Sequence, residues 1–125
     1  MIFDTDVFIW VQRGNRKAAA AIDAARERYL SIQSLMELLQ GAQDKRQLRL
    51  TKDFLSDQSF TVLPLTENIG HRALVYVEEY GISHGIRAGD AIIAATAIEN
   101  NQPLVSSNTK HFKALKDLDL RVFRP

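Results

Sequence analysis

Short apolar runs alternate with helix-length segments from one end of this chain to the other, and that alternation constrains the fold more than any other feature. Met1–Asp4, Tyr29–Ile32, Phe60–Leu63, Leu104–Ser106 and Leu120–Phe123 read as brief buried strands. The segments between them read as helices. An apolar stripe from Asp6 to Arg13 stops at Gly14, and Asn15 caps an alanine-rich helix running on through Arg28. Leu35, Leu38, Leu39 and Ala42 recur at helical spacing as a third buried face, with Ser34 as its start. A polar tail from Gln43 to Arg49 then leads through a turn to a short helix near Thr51–Ser56. Thr66 caps a helix that runs to Tyr80 and is stopped by Gly81. The almost wholly apolar Ala91–Ile98 is a helix buried on most sides. Strands separated by helices in this way build a parallel sheet covered on both faces, an α/β fold.

With 125 residues, the expectation is a single domain spanning 1–125, long enough for one core without disulfides or a structural metal. No stretch approaches the roughly 20 apolar residues of a membrane span, so no membrane partner is expected. The start lacks a basic signal-like region, and the chain has no cysteine, which removes disulfides and thiolate zinc sites. A cytoplasmic location is the corresponding expectation. A net charge of +1 is by itself uninformative. If several acids gather in one site, however, the remaining surface is basic in compensation, which suits a polyanionic substrate.

The polar residues cluster where strands end and helices begin. Asp4 closes the first strand, Glu37 sits in the first turn of the third helix, and Asp90 starts the buried helix. Asn108 lies just past the strand ending at Ser106. Open α/β sheets place ligands outside the carboxyl ends of their strands, so these residues can share one rim. Each has a plainer explanation in capping and the helix dipole, worth roughly 0.3–1 kcal/mol. Glu37 could simply reach back to the Ser34 amide in a capping box. Asp6 could cap the first helix, or act as a secondary metal ligand. Convergence favours more than capping: two carboxylates about 4 Å apart repel by roughly 4 kcal/mol at an effective dielectric near 20, so a shared rim calls for protonation or a cation. Oxygen donors without cysteine or a histidine pair select a hard ion, Mg²⁺ or Mn²⁺, able to activate water and to stabilise charge on a phosphodiester.

The initial Met-Ile-Phe-Asp-Thr-Asp, then SLMEL, GDAIIAATA and LVSSNTKHF, resemble in order and spacing the motifs of PIN-domain ribonucleases, especially the VapC-type toxins of toxin–antitoxin pairs. The resemblance spans nearly the whole chain. It implies a PIN-like three-layer fold, with a central parallel sheet of four to five strands and helices on both faces. It also implies a Mg²⁺- or Mn²⁺-dependent endoribonuclease whose metal is held by Asp4, Glu37 and Asp90, with Asn108 completing the catalytic quartet. Many family members carry Asp at that last position and others Asn. A cognate antitoxin, an RNA substrate and homodimerisation are implied as well. Thr5 and Ser106 are polar neighbours able to contact metal-bound water or phosphate, or simply to end their elements.

Arg87 and Lys110 adjoin the proposed ligands and are expected to contact substrate phosphate. Other basic residues read as solvated faces. His111 is expected to pack beside Phe112, with His71 and His84 structural, and Val7, Phe8 and Trp10 form an apolar surface that is either core or part of an interface, with core preferred. A haloacid dehalogenase-type phosphatase also begins with Asp-x-Asp and has a late Gly-Asp, but it needs a further acid where Ala91–Ile98 has no charge. A phosphoreceiver domain needs an Asp closing the middle strand, where FTVLPL has none. A PIN-like module that binds RNA or protein without cutting is the remaining alternative.

Overall fold

The computed structural model describes residues 1–125. In chain order the elements are β1 (Ile2–Phe3), α1 (Thr5–Gln12), α2 (Arg16–Ala24), β2 (Tyr29–Ser31), α3 (Ile32–Gln40), α4 (Lys45–Asp57), β3 (Thr61–Leu63), α5 (Glu67–His84), α6 (Ala88–Glu99), β4 (Leu104–Ser106), α7 (Thr109–Phe112) and β5 (Leu120–Val122). All strand pairings are parallel, and the sheet runs β3-β2-β1-β4-β5. The chain first builds outward from β1 through β2 to β3, then returns to the other side of β1 with β4. The strand order therefore reverses between β1 and β4, and a crevice opens at their carboxyl ends.

Side chains on a strand point alternately to opposite faces, and this divides the core in two. Ile2 and Leu104 face the layer made by α5 and α6, where they meet Ile69, Ala73 and the inner side of α6. Phe3 and Val105 face the opposite layer with Val7, Phe8, Ile22, Leu38 and Leu55. On that side Phe3, Phe8 and Phe60 form a mutual edge-to-face cluster with centroids 5.1–6.4 Å apart. The three-layer α/β architecture with a five-stranded parallel sheet is thus as expected. The small side chains of Ala91, Ala94, Ala95 and Ala97 are buried, which lets α6 pack closely against α5 and the sheet.

Asn15 and Thr66 cap α2 and α5 through Ala18 N and Ile69 N, as their sequence positions predict. Other boundaries differ. Helix α2 ends at Ala24 rather than Arg28, because Arg28 turns its guanidinium onto the carbonyls of Ala25 and Gln58 and ties two connections together. The polar stretch after α3 is no tail. Asp44 accepts from Gln47 N at 2.8 Å and starts one continuous α4, whose charged residues are its solvated face and whose Leu55 is its buried anchor. Helix α5 passes through Gly81 and stops only at Gly85, which takes the left-handed conformation at φ 69°. Helix α3 begins one turn earlier than Ser34 suggests. Ser31 is its cap, accepting from Ser34 N at 2.9 Å, so Glu37 lies in the second turn and is not part of a capping box.

Candidate functional site

Asp4 stands at the carboxyl end of β1, at the point of reversal, and is 5% exposed. Its Oδ1 accepts from Thr5 N at 2.8 Å, which makes Asp4, not Asp6, the cap of α1. Its Oδ2 accepts from Ser106 Oγ at 2.7 Å across the β1–β4 boundary. The Ser106 hydroxyl in turn accepts from Asn108 N at 2.9 Å, which fixes the bend after β4. Burial is the main cause that pushes the Asp4 carboxyl up to about 7, with Asp6 and, more weakly, Asp90 adding repulsion; the bonds from Ser106 and Thr5 offset part of this.

Asp6, in the first turn of α1, receives Ser107 N at 2.9 Å and the Ser107 hydroxyl on Oδ2. Its other oxygen, Oδ1, is buried without a hydrogen-bond partner. Glu37 arrives from α3. Its Oε1 lies 2.9 Å from Thr5 Oγ1, which is also 2.9 Å from Ser34 Oγ, and its Oε2 accepts from Gln33 Nε2 at 3.2 Å. Gly89 brings α6 onto this corner: a Cβ there would stand 3.1 Å from Gln33 Nε2 and 3.3 Å from Glu37 Oε2. Residue 89 is thus small where two acid-bearing helices meet.

Asp90 follows directly. Its Oδ2 is 2.9 Å from His111 Nδ1 and 3.4 Å from Arg87 N, and the same imidazole nitrogen is 3.0 Å from Asn108 Nδ2. Arg87 and Lys110 are exposed beside these groups, and neither is engaged in an ion pair. The rim therefore gathers Asp4, Thr5, Asp6, Ser106 and Asn108 around the β1–β4 crevice, with Asp90 in electrostatic reach of Asp4 and Glu37 joined through Thr5 and Gly89.

No three His, Asp or Glu side chains close around a common point by themselves. The donor set still fits a hard divalent ion. Such an ion binds through one or two carboxylates and keeps water for the rest, and the site has a strained pair of neighbouring acids with one orphaned carboxylate oxygen. Asp4, Asp90 and Glu37 would be its oxygen donors, and Asn108 a neutral one.

Sequence reasoning missed His111, assigned to packing beside Phe112 but found bridging Asp90 and Asn108. The spacing of Asn108 and His111 suits one helical turn and was a usable signal. The contact with Asp90 was not, since it depends on how α6 and α7 meet. The partnership of Asp6 with Ser107 was hidden for the same reason. Beside Glu37, an apolar groove of about 470 Å³ runs between α1, α3 and α4, lined by Phe8, Leu38, Leu50, Phe54 and Leu55.

The family model of the PIN domain matches residues 1–118. A curated protein named Ribonuclease VapC, from Rickettsia bellii, is 34% identical and aligns over 96% of this chain and 93% of its own length. Among solved structures, a toxin–antitoxin complex from Klebsiella pneumoniae contains a chain that is 30% identical, with TM-score 0.80 and coverage of 94% of this chain and 93% of that one. VapBC2 from Rickettsia felis, solved bound to a promoter DNA fragment, has TM-score 0.81 at 23% identity and covers 99% of this chain and 100% of that one, a likeness of fold.

Proposed function

The chain belongs to the PIN-domain family, and from that membership we propose that it is a metal-dependent endoribonuclease, hydrolysing RNA phosphodiester bonds as the toxin of a toxin–antitoxin pair. The observation that carries the reading is the buried Asp4 carboxyl at the β1–β4 reversal with Asp6, its Oδ1 orphaned, beside it and Asp90 in reach; burial chiefly, then these neighbours, push Asp4 up to about 7. A carboxylate so placed is relieved by a cation, and a cation at a rim flanked by free arginine and lysine suits a phosphodiester.

Asp4, Glu37 and Asp90 would hold Mg²⁺ or Mn²⁺, with the Asn108 carbonyl oxygen assisting. The chemistry such an ion supplies is activation of water and neutralisation of charge on the phosphoryl group. The chain's own groups set the stage. Ser106 and the Thr5 amide hold the Asp4 carboxylate at fixed orientation from both sides. Thr5 Oγ1 and Gln33 hold Glu37. Asp6 clamps the turn after β4 through Ser107 and so keeps Ser106 and Asn108 at the rim. Arg87 and Lys110 attract and seat the RNA backbone without reading its sequence.

An antitoxin is the proposed protein partner, by analogy with the Klebsiella complex, and the apolar groove that Glu37 helps to line is where a segment of it would lie. A second copy of the chain is the other proposed partner, with Leu74, Val75 and Ile82 of α5 as exposed apolar surface for it. With RNA as the proposed substrate, a cytoplasmic location is proposed as well; no helix is long and apolar enough to cross a membrane.

The test is cleavage of total cellular RNA by purified protein with and without Mg²⁺ or Mn²⁺, using Asp4→Asn and Asp90→Asn as controls. Ion-dependent cleavage lost in both variants is expected. Undiminished cleavage by the variants, or none by the wild type under any divalent ion, defeats the reading and favours a binding module.

A further inference from the structure

His111 has a role of its own in this site. Asp90 is otherwise held only by Arg87 N at 3.4 Å, a long contact, so the 2.9 Å approach of His111 Nδ1 is its one short hydrogen bond. A carboxylate can only accept, so Nδ1 carries the hydrogen. The Asn108 amide lies 3.0 Å from the same nitrogen. The two ends of a carboxamide occupy the same space, and the arrangement that sets no donor against a donor has the Asn108 oxygen, rather than Nδ2, at that position. The ring Nε2 makes no hydrogen bond within the protein, and the fully buried Phe112 next in sequence anchors the short α7 that carries the imidazole.

We infer that His111 is a positioning residue, whose Nδ1–H is shared between Asp90 Oδ2 and the Asn108 side-chain oxygen and so aligns two ion-binding groups from separate elements. The inference rests on the reading of Asp90 and Asn108 as ion-holding groups. One bond from the imidazole registers the start of α6 against the turn after β4 and leaves Asp90 Oδ1 and the unused lone pairs of both residues free of protein partners, where they would be available to an ion. Loss of the imidazole would leave Asp90 to rotate about its side chain and Asn108 with no side-chain partner.

Geometry supplies a discriminating test. The amide nitrogen of Asn falls where Nδ1 of His does, whereas that of Gln falls where Nε2 does. Mn²⁺ binding to metal-free protein, followed by electron paramagnetic resonance of the free ion, should weaken about 10- to 100-fold in His111→Ala and in His111→Gln, the range for partners that orient metal ligands. His111→Asn should restore most of that affinity, and kcat on RNA should follow the same order. Proton–nitrogen correlation spectra of the metal-free wild type should show Nδ1 protonated, against the Nε2–H preference of a free histidine. Wild-type affinity in His111→Ala, recovery by Gln equal to that by Asn, or an unprotonated Nδ1 overturns the inference. Failure of the wild type to bind Mn²⁺ defeats the metal reading instead, and the imidazole spectrum then decides the bridge alone.

Discussion

Asp90 and Thr5 separate two kinds of contribution at the level of single side chains. Asp90→Asn keeps the size of the residue and removes a charge from a rim where Asp4 already suffers repulsion. It should therefore leave the folded state intact by circular dichroism while reducing RNA cleavage by roughly 100-fold or more, as loss of a group that stabilises charge in the transition state does; retained activity would exclude it as a ligand. Thr5→Val removes a hydroxyl 2.9 Å from both Ser34 and Glu37. Ser34 keeps Ser31, and Glu37 keeps Gln33, so denaturant titration should report a loss of only about 1 kcal/mol. The fall in kcat should exceed what that small loss implies, because Glu37 is then held at one oxygen only; an unchanged kcat would reduce Thr5 to a structural hydroxyl. Asp4 and Asp90 were legible as candidates because their positions follow from where strands end and helices begin; Glu37 was legible as an acid on α3, one turn deeper than expected. Their partners were not. Ser107 for Asp6 and His111 for Asp90 are contacts across about 100 and 21 residues, set by packing that no local pattern encodes.

Elements were easier to detect than to delimit, although the short α7 was not anticipated. Every strand and helix expected from the apolar pattern exists, since hydrophobic spacing reports burial and burial decides existence. Ends depend on finer competition. Gly81 was the expected stop for α5, but it stays helical and the helix ends instead at Gly85, which carries φ 69°. The pair yields opposite predictions. A Cβ at residue 81 meets nothing nearer than Val77 Cγ1 at 3.7 Å, so Gly81→Ala should raise stability by up to about 1 kcal/mol through helix propensity. Gly85→Ala should cost roughly 1–2 kcal/mol, because the left-handed conformation strains any side chain. Thermal melts of the two variants moving in the same direction would contradict this boundary. The start of α3 at Ser31 shows the same limit: Ser31 and Ser34 are equally good caps by type, and only the end of β2 selects between them.

At the scale of the whole molecule, the strand order β3-β2-β1-β4-β5 puts the shortest strand in the centre and an acid at its end, so the site is built into the most buried part of the sheet. That order could not be read from the chain, because the apolar pattern identifies strands without saying which are neighbours. Its consequence is a stability that depends on pH. Burial, with repulsion from Asp6 and Asp90, pushes the Asp4 carboxyl in the fold from its ordinary 3.8 up to about 7. Between these values the folded protein holds a proton that the unfolded chain has lost, so rising pH favours unfolding across this window and the effect levels off above it. At about 1.4 kcal/mol per pKa unit, the metal-free protein forfeits on the order of 4 kcal/mol by pH 8 through this one group. Asp4→Asn cannot ionise and keeps an oxygen to accept from Thr5 N. The variant should match the wild type near pH 4 and exceed it in denaturation free energy at pH 8 by a few kcal/mol, both measured in chelator. A divalent ion favours the carboxylate and binds only the folded state, so added Mn²⁺ should raise the wild-type melting temperature at pH 8 and leave the variant nearly unmoved. A constant gap between the two proteins from pH 4 to pH 8 would mean that Asp4 ionises normally in the fold, and the electrostatic ground for a cation at this rim would be gone.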